Sequence, residues 1–88
     1  MGKFDKSSDV ATDMIFKFIK DRMKEKQITQ FELAEMIGIN ESTLIRNFKK
    51  ETAMPLATYL KICGALELRP YLIPAEADKN YMQRMFFN

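Results

Sequence analysis

An all-α bundle of four to five short helices, closed by one short C-terminal strand, is the fold class this sequence predicts. Three observations predict it. Apolar residues recur at helical spacing in several separate stretches. Gly38 ends one such stretch, and a good capping residue, Asn40, follows two positions later. Only Ala65 to Pro74, ALELRPYLIP, changes to a period of two.

The bulk properties set the frame. Eighty-eight residues make one small domain with a modest core. The apolar share is 47% and the charged share 30%, as in a soluble globular chain. Net charge is +2 and the pI about 8.7, below the roughly pI 9 footprint of strongly basic nucleic-acid domains. Charge alone therefore selects no partner. No apolar run approaches the roughly 18 residues that span a membrane. The opening MGKFDKSSD is polar and lacks the apolar region of a secretory signal. One Cys and no His exclude an intramolecular disulfide and any Cys/His or Ser/His/Asp constellation. The expectations are a cytoplasmic protein, no enzyme, no cofactor and no metal.

In chain order, residues 1–8 read as a polar, flexible arm. Asp9 or Ser8 then caps a long helix over Val10 to Glu25. Ala11, Ile15, Phe18, Ile19 and Met23 repeat at helical spacing and are expected to face the core. Met1 to Ile28 holds seven bases and five acids, interleaved, which marks a solvated face. Thr29 is a natural N-cap, and Thr29-x-x-Glu32 reads as a capping box. Gln30 to Ile37 is the second helix, with Leu33, Ala34 and Ile37 apolar. Gly38 suits the left-handed position that closes it. Ile39 is an apolar plug. Asn40 starts the third helix, Glu41 to Lys49, which buries Leu44. Ser42, Arg46 and Lys49 follow i, i+4, i+7 spacing and share one stripe. Two helices joined by so short a turn hold each other at a steep angle, and one can protrude. A protruding helix fits the major groove, where base edges carry a distinguishable donor and acceptor pattern.

Gln30, Leu33, Ala34, Gly38, Ile39, Ser42, Thr43, Leu44 and Arg46 follow the pattern Q-x-x-L-A-x-x-x-G-[IV]-x-x-S-T-[IL] throughout. By these residues the stretch resembles the helix-turn-helix of the phage Cro and repressor (Xre-type) family. The resemblance implies a lambda-repressor-like bundle that binds double-stranded DNA and regulates transcription. It implies that Gln30 caps its helix against a phosphate and that Glu41, Ser42 and Arg46 face bases or phosphates. Asn40 and Thr43, flanking these in the same run, complete the expected DNA-facing set with Ile45, Lys49 and Lys50. Lys49 and Lys50 sit where phosphates flank the groove and equally where a helix C-terminus favours positive charge. Glu41 fits either a cytosine amine or the helix dipole. Ile45 fits a thymine methyl or the interior. One position departs from the family. Asn47 stands where an apolar residue is usual, with Phe48 next to it. Either Phe48 supplies the buried group, or Asn47 is partly exposed and hydrogen-bonded.

Pro55 suits the first turn of a fourth helix, Leu56 to Leu66. Leu56, Tyr59, Leu60, Cys63 and Leu66 are expected on its core face, with Ile62 beside them. The period-two run then places Arg69, Tyr71, Leu72 and Ile73 on a strand with no partner in the chain. Pairing with the same strand of a second copy about a two-fold axis is the economical solution. The run L-A-T-Y-L-K-I-x-x-x-L-E-L-x-x-x-L, Leu56 to Leu72, is similar to the end of helix-turn-helix antitoxins. In those, the C-terminal strand pairs across the dimer and the dimer represses its own operon. Tyr81, Met82, Met85 and Phe86 recur at helical spacing near the chain end. They read as a helix docked on the domain or its mate, or as a handle for a protein such as a toxin. The organisation expected is thus an arm (1–8), a DNA-binding domain (9–68) and a dimerisation or partner-binding end (69–88). The function expected is a dimeric, sequence-specific DNA-binding transcriptional regulator, a repressor in type. The alternative is an antitoxin that binds a toxin and autorepresses its operon.

Overall fold

The computed structural model describes residues 2–76 and contains four helices among them: α1 (Asp5–Lys26), α2 (Gln30–Ile37), α3 (Glu41–Phe48) and α4 (Leu56–Ala65). The all-helical expectation holds. The chain divides into two units. Residues 2–18 and 71–76 belong to one, and Ile19–Pro70 forms the other.

In Ile19–Pro70 the core is made by Ile19 and Met23 from α1, Leu33, Ala34 and Ile37 from α2, Leu44 and Phe48 from α3, and Ile62 and Cys63 from α4, with Leu66 just after it. α2 packs against both α3 and α4. The end of α1 is tied to the end of α4. Arg22 Nε donates to the Leu66 carbonyl at 2.9 Å, and Lys26 pairs with Glu67. That pairing, with Arg22 nearby, holds the Glu67 carboxyl below the usual range.

All four helices close in the same way. A residue with positive φ stands at or just after the end of each, and the next N–H reaches back five residues. Ile28 donates to Met23, Ile39 to Ala34, Glu51 to Arg46 and Leu68 to Cys63, at 2.8–3.0 Å. This is the Schellman arrangement. Glycine fills the left-handed position only at Gly38. Gln27, Lys50 and Glu67 fill the other three with φ of 56°, 64° and 56°.

Three expectations need correction. First, α1 begins at Asp5, not Val10. The Asp5 carboxylate accepts from the Gly2 N–H at 2.8 Å, which supplies a start to the helix ahead of Ser8 and Asp9. Second, the faces of α1 and α4 are only partly those expected: Ile19 and Met23 on α1, and Cys63 and Leu66 at the end of α4, are buried as read, but other members of each stripe are not. Ile15 and Phe18 are exposed, Phe18 at 62%, and Ala11 is half-buried, whereas Phe16 is buried. Arg22, one turn beyond Phe18, is half-buried and turns its guanidinium to the Leu66 carbonyl, not to an apolar neighbour. The stripe Thr12-Phe16-Ile19-Met23 carries no charge. On α4, Leu56 and Leu60 are exposed, and Ile62 is fully buried with Cys63 and Leu66. Tyr59 is half-buried; that burial, then the neighbouring Cys63, raises its phenol above the ordinary value. Third, there is no strand among the described residues: Arg69, Tyr71, Leu72 and Ile73 lie in irregular, exposed chain. A lone strand has no ladder to complete within one chain. Tyr81 to Phe87 lie outside the described residues.

Candidate nucleic-acid interface

The turn between α2 and α3 is fixed at both ends. Thr29 has extended backbone and its Oγ1 accepts from the Glu32 N–H at 3.1 Å, while the Glu32 carboxylate accepts from the Thr29 N–H at 2.9 Å. This is the capping box read from the sequence. These bonds, the backbone one first, hold the Glu32 carboxyl below the usual range. At the far end Gly38 has φ 78° and ψ 35°. An L side chain there would be strained although nothing lies near its Cβ position. Ile39, half-buried, follows. Asn40 takes the N-cap place of α3 with extended backbone, but its side chain makes no cap hydrogen bond. Its expected capping role is reduced to backbone: the Asn40 carbonyl accepts from Thr43 and Leu44 at 3.1 and 3.2 Å.

α3 has two distinct faces. Leu44, Asn47 and Phe48 are buried; Ser42, Arg46 and Lys49 are exposed on one stripe. Thr43, Ile45 and Glu41 flank it, each half-buried. Arg46 Nη2 lies 3.5 Å from Thr43 Oγ1, a weak tie that directs the guanidinium along the exposed face. Gln30 is the first residue of α2 and half-buried. Lys49 is the C-cap of α3 and Lys50 the left-handed residue after it; both are exposed. All nine residues expected to face DNA thus lie on α3, its two ends and the start of α2. Eight of them, all but Gln30, sit within the eleven consecutive positions from Asn40 to Lys50.

At the Asn47 departure Phe48 supplies the buried group, the first of the two alternatives, while Asn47 is hydrogen-bonded but buried, not partly exposed. Phe48 is buried, with Lys20 Nζ 5.4 Å from its ring centre. Asn47 is only 3% exposed. Its Nδ2 donates to Thr52 Oγ1 at 2.9 Å and lies 3.4 Å from the Thr52 and Ala53 carbonyls. Its Oδ1 is buried and accepts nothing from the described residues. A buried acceptor in that state costs about 1–3 kcal/mol. The sequence signalled a polar residue in an apolar slot, but not its partner, Thr52, five residues on.

Among the described residues no cluster of His, Cys, Asp or Glu is placed to hold a metal ion, and no helix is long and apolar enough to cross a membrane. A paired helix with one face built for the core and the other carrying Ser42, Arg46 and Lys49 has the shape and chemistry of a groove-reading element.

No curated protein and no solved structure matches the chain. A family model does: that of the Cro/C1-type helix-turn-helix DNA-binding domain matches residues 19–71, more than half of the sequence. The chain belongs to the Cro/C1-type helix-turn-helix family of DNA-binding domains.

Proposed function

We propose that this DNA-binding regulator is a sequence-specific repressor that acts as a homodimer, each copy laying α3 in the major groove. The observation that carries the reading is the division of α3 into a buried face and an exposed stripe of Ser42, Arg46 and Lys49. In this reading Arg46 reads a guanine through its two parallel donors. Ser42, Thr43 and Glu41 meet neighbouring base edges or phosphates, and Ile45 meets a thymine methyl. Gln30, Asn40, Lys49 and Lys50 meet the sugar–phosphate backbone. Half-site centres would lie about 34 Å apart or a multiple of that.

The dimer is supported by the segment after α4. Tyr71 and Leu72 are 77% and 99% exposed, and Ile73 and Arg69 are exposed beside them. Apolar side chains so bare are ones a second copy would cover. The same exposure favours a second reading, an antitoxin that holds a toxin and represses its own operon. Purification from a host expressing the adjacent gene separates the two: a stoichiometric complex favours the antitoxin. A cytoplasmic location follows from a DNA target.

Arg46→Ala tests the groove assignment. We expect loss of affinity for a matched duplex by about tenfold or more, with discrimination between bases relaxed at one position. Unchanged affinity means α3 does not read DNA.

A further inference from the structure

One side chain fastens α3 to the loop behind it. Asn47 is buried, and three oxygens surround its Nδ2: Thr52 Oγ1 at 2.9 Å and the carbonyls of Thr52 and Ala53 at 3.4 Å. Carbonyls cannot donate, so the group facing them must be the amide nitrogen. Thr52 Oγ1 is therefore an acceptor toward Asn47, and its own hydrogen is turned elsewhere. Thr52 is exposed. The same loop starts with Lys49 at the cap of α3 and Lys50 in the left-handed conformation. For packing alone Asn47 is a poor choice, because its Oδ1 is left buried without a partner among the described residues. An apolar side chain of similar size would fill the slot without that cost. A locally unfavourable residue that organises an exposed loop points to a role outside the core.

We propose that Asn47 is a positioning residue for the DNA backbone: it fixes residues 49–53 so that the Thr52 hydroxyl, with Lys49 and Lys50, meets a phosphate flanking the groove. This rests on the reading of α3 as the groove-entering helix. The ligand is a duplex phosphate and needs no particular base sequence, so it can be tested without knowing the operator.

The experiment measures binding of the full chain to a labelled, mixed-sequence DNA duplex across a salt series, beside thermal unfolding. Asn47→Leu should fold at least as stably as the wild type. It should nevertheless bind about tenfold more weakly, with a salt slope shallower by about one as a lysine contact slackens. Thr52→Val should lose similar affinity with the slope unchanged, since it removes a neutral donor. Thr52→Ser should restore it. The double variant should lose no more than Asn47→Leu alone, because both act through one contact. Wild-type affinity and slope in Asn47→Leu, or losses that multiply in the double variant, overturn the proposal. If Asn47→Leu fails to fold, Thr52→Val decides, and unchanged affinity overturns the proposal. A wild type that shows no salt-dependent duplex binding removes the groove reading itself, and this inference with it.

Discussion

Lys50 holds a left-handed backbone, φ 64°, at the place where Gly38 closes α2. The conformation is locked by two bonds, Lys50 N–H to the Asn47 carbonyl and Glu51 N–H to the Arg46 carbonyl, both 3.0 Å. For an L residue the left-handed region costs about 1–2 kcal/mol. Glycine removes that cost but frees the unfolded chain, which returns roughly 0.4–1 kcal/mol. Lys50→Gly should therefore be more stable than Lys50→Ala by about 0.5–1 kcal/mol. Comparing glycine with alanine cancels whatever the lysine side chain itself contributes. In a domain of this size the difference corresponds to roughly 2–8 °C in Tm, readable by circular dichroism and checked by urea unfolding. Gln27→Gly against Gln27→Ala, at φ 56°, should show the same gain. DNA binding should separate the two positions: both Lys50 variants should flatten the salt dependence by about one unit of slope, and neither Gln27 variant should. An alanine variant as stable as the glycine variant at position 50 would refute the backbone argument.

Three further outcomes follow from the caps and the core. Thr29→Ala should cost about 1 kcal/mol, whereas Asn40→Ala should be nearly neutral, because only Thr29 makes a side-chain cap bond; chemical denaturation of both variants checks this. Glu32 is held below the ordinary carboxylate value, so its stabilisation is present above the unfolded value of about 4.3 and is lost as pH falls through the lowered folded value. The stability gap between wild type and Glu32→Gln should close over that acid range in a Tm series. Phe16→Ala should cost about 3–5 kcal/mol, and Phe18→Ala only about 0.5 kcal/mol, since Phe16 is 9% and Phe18 62% exposed.

The features legible in the sequence were those set by local chemistry. Thr29 and Glu32 announce one end of α2, Gly38 the other, and the alternation of Leu44 with Ser42 and Arg46 fixes the two faces of α3. The faces of α1 and α4 were harder because each helix carries two overlapping apolar stripes. On α1 helical spacing groups Ile19 and Met23 with Ala11, Ile15 and Phe18, but in the core Ile19 and Met23 are joined by Phe16; on α4 it groups Cys63 and Leu66 with Leu56 and Leu60, but in the core they are joined by Ile62. Arg22, one turn beyond Phe18, is half-buried and reaches the Leu66 carbonyl, a partner 44 residues away that helical spacing does not reveal. On α4, Gly64 stands one turn after Leu60 and has no side chain to bury. The left-handed ends at Gln27, Lys50 and Glu67 had no such signal, because none of these residue types favours that conformation. The strand expected at Arg69 to Ile73 rested on a period of two; alternation describes a strand only where a ladder exists to receive it.

The central claim is that the exposed stripe of α3 reads base sequence. Selection of bound duplexes from a random pool tests it most directly. The account predicts enrichment of an inverted repeat with half-site centres about one helical turn, or a multiple, apart, with the enriched guanine lost when Arg46→Ala is selected in parallel. A pool that stays random, or the same enriched sequence for wild type and Arg46→Ala, would contradict it.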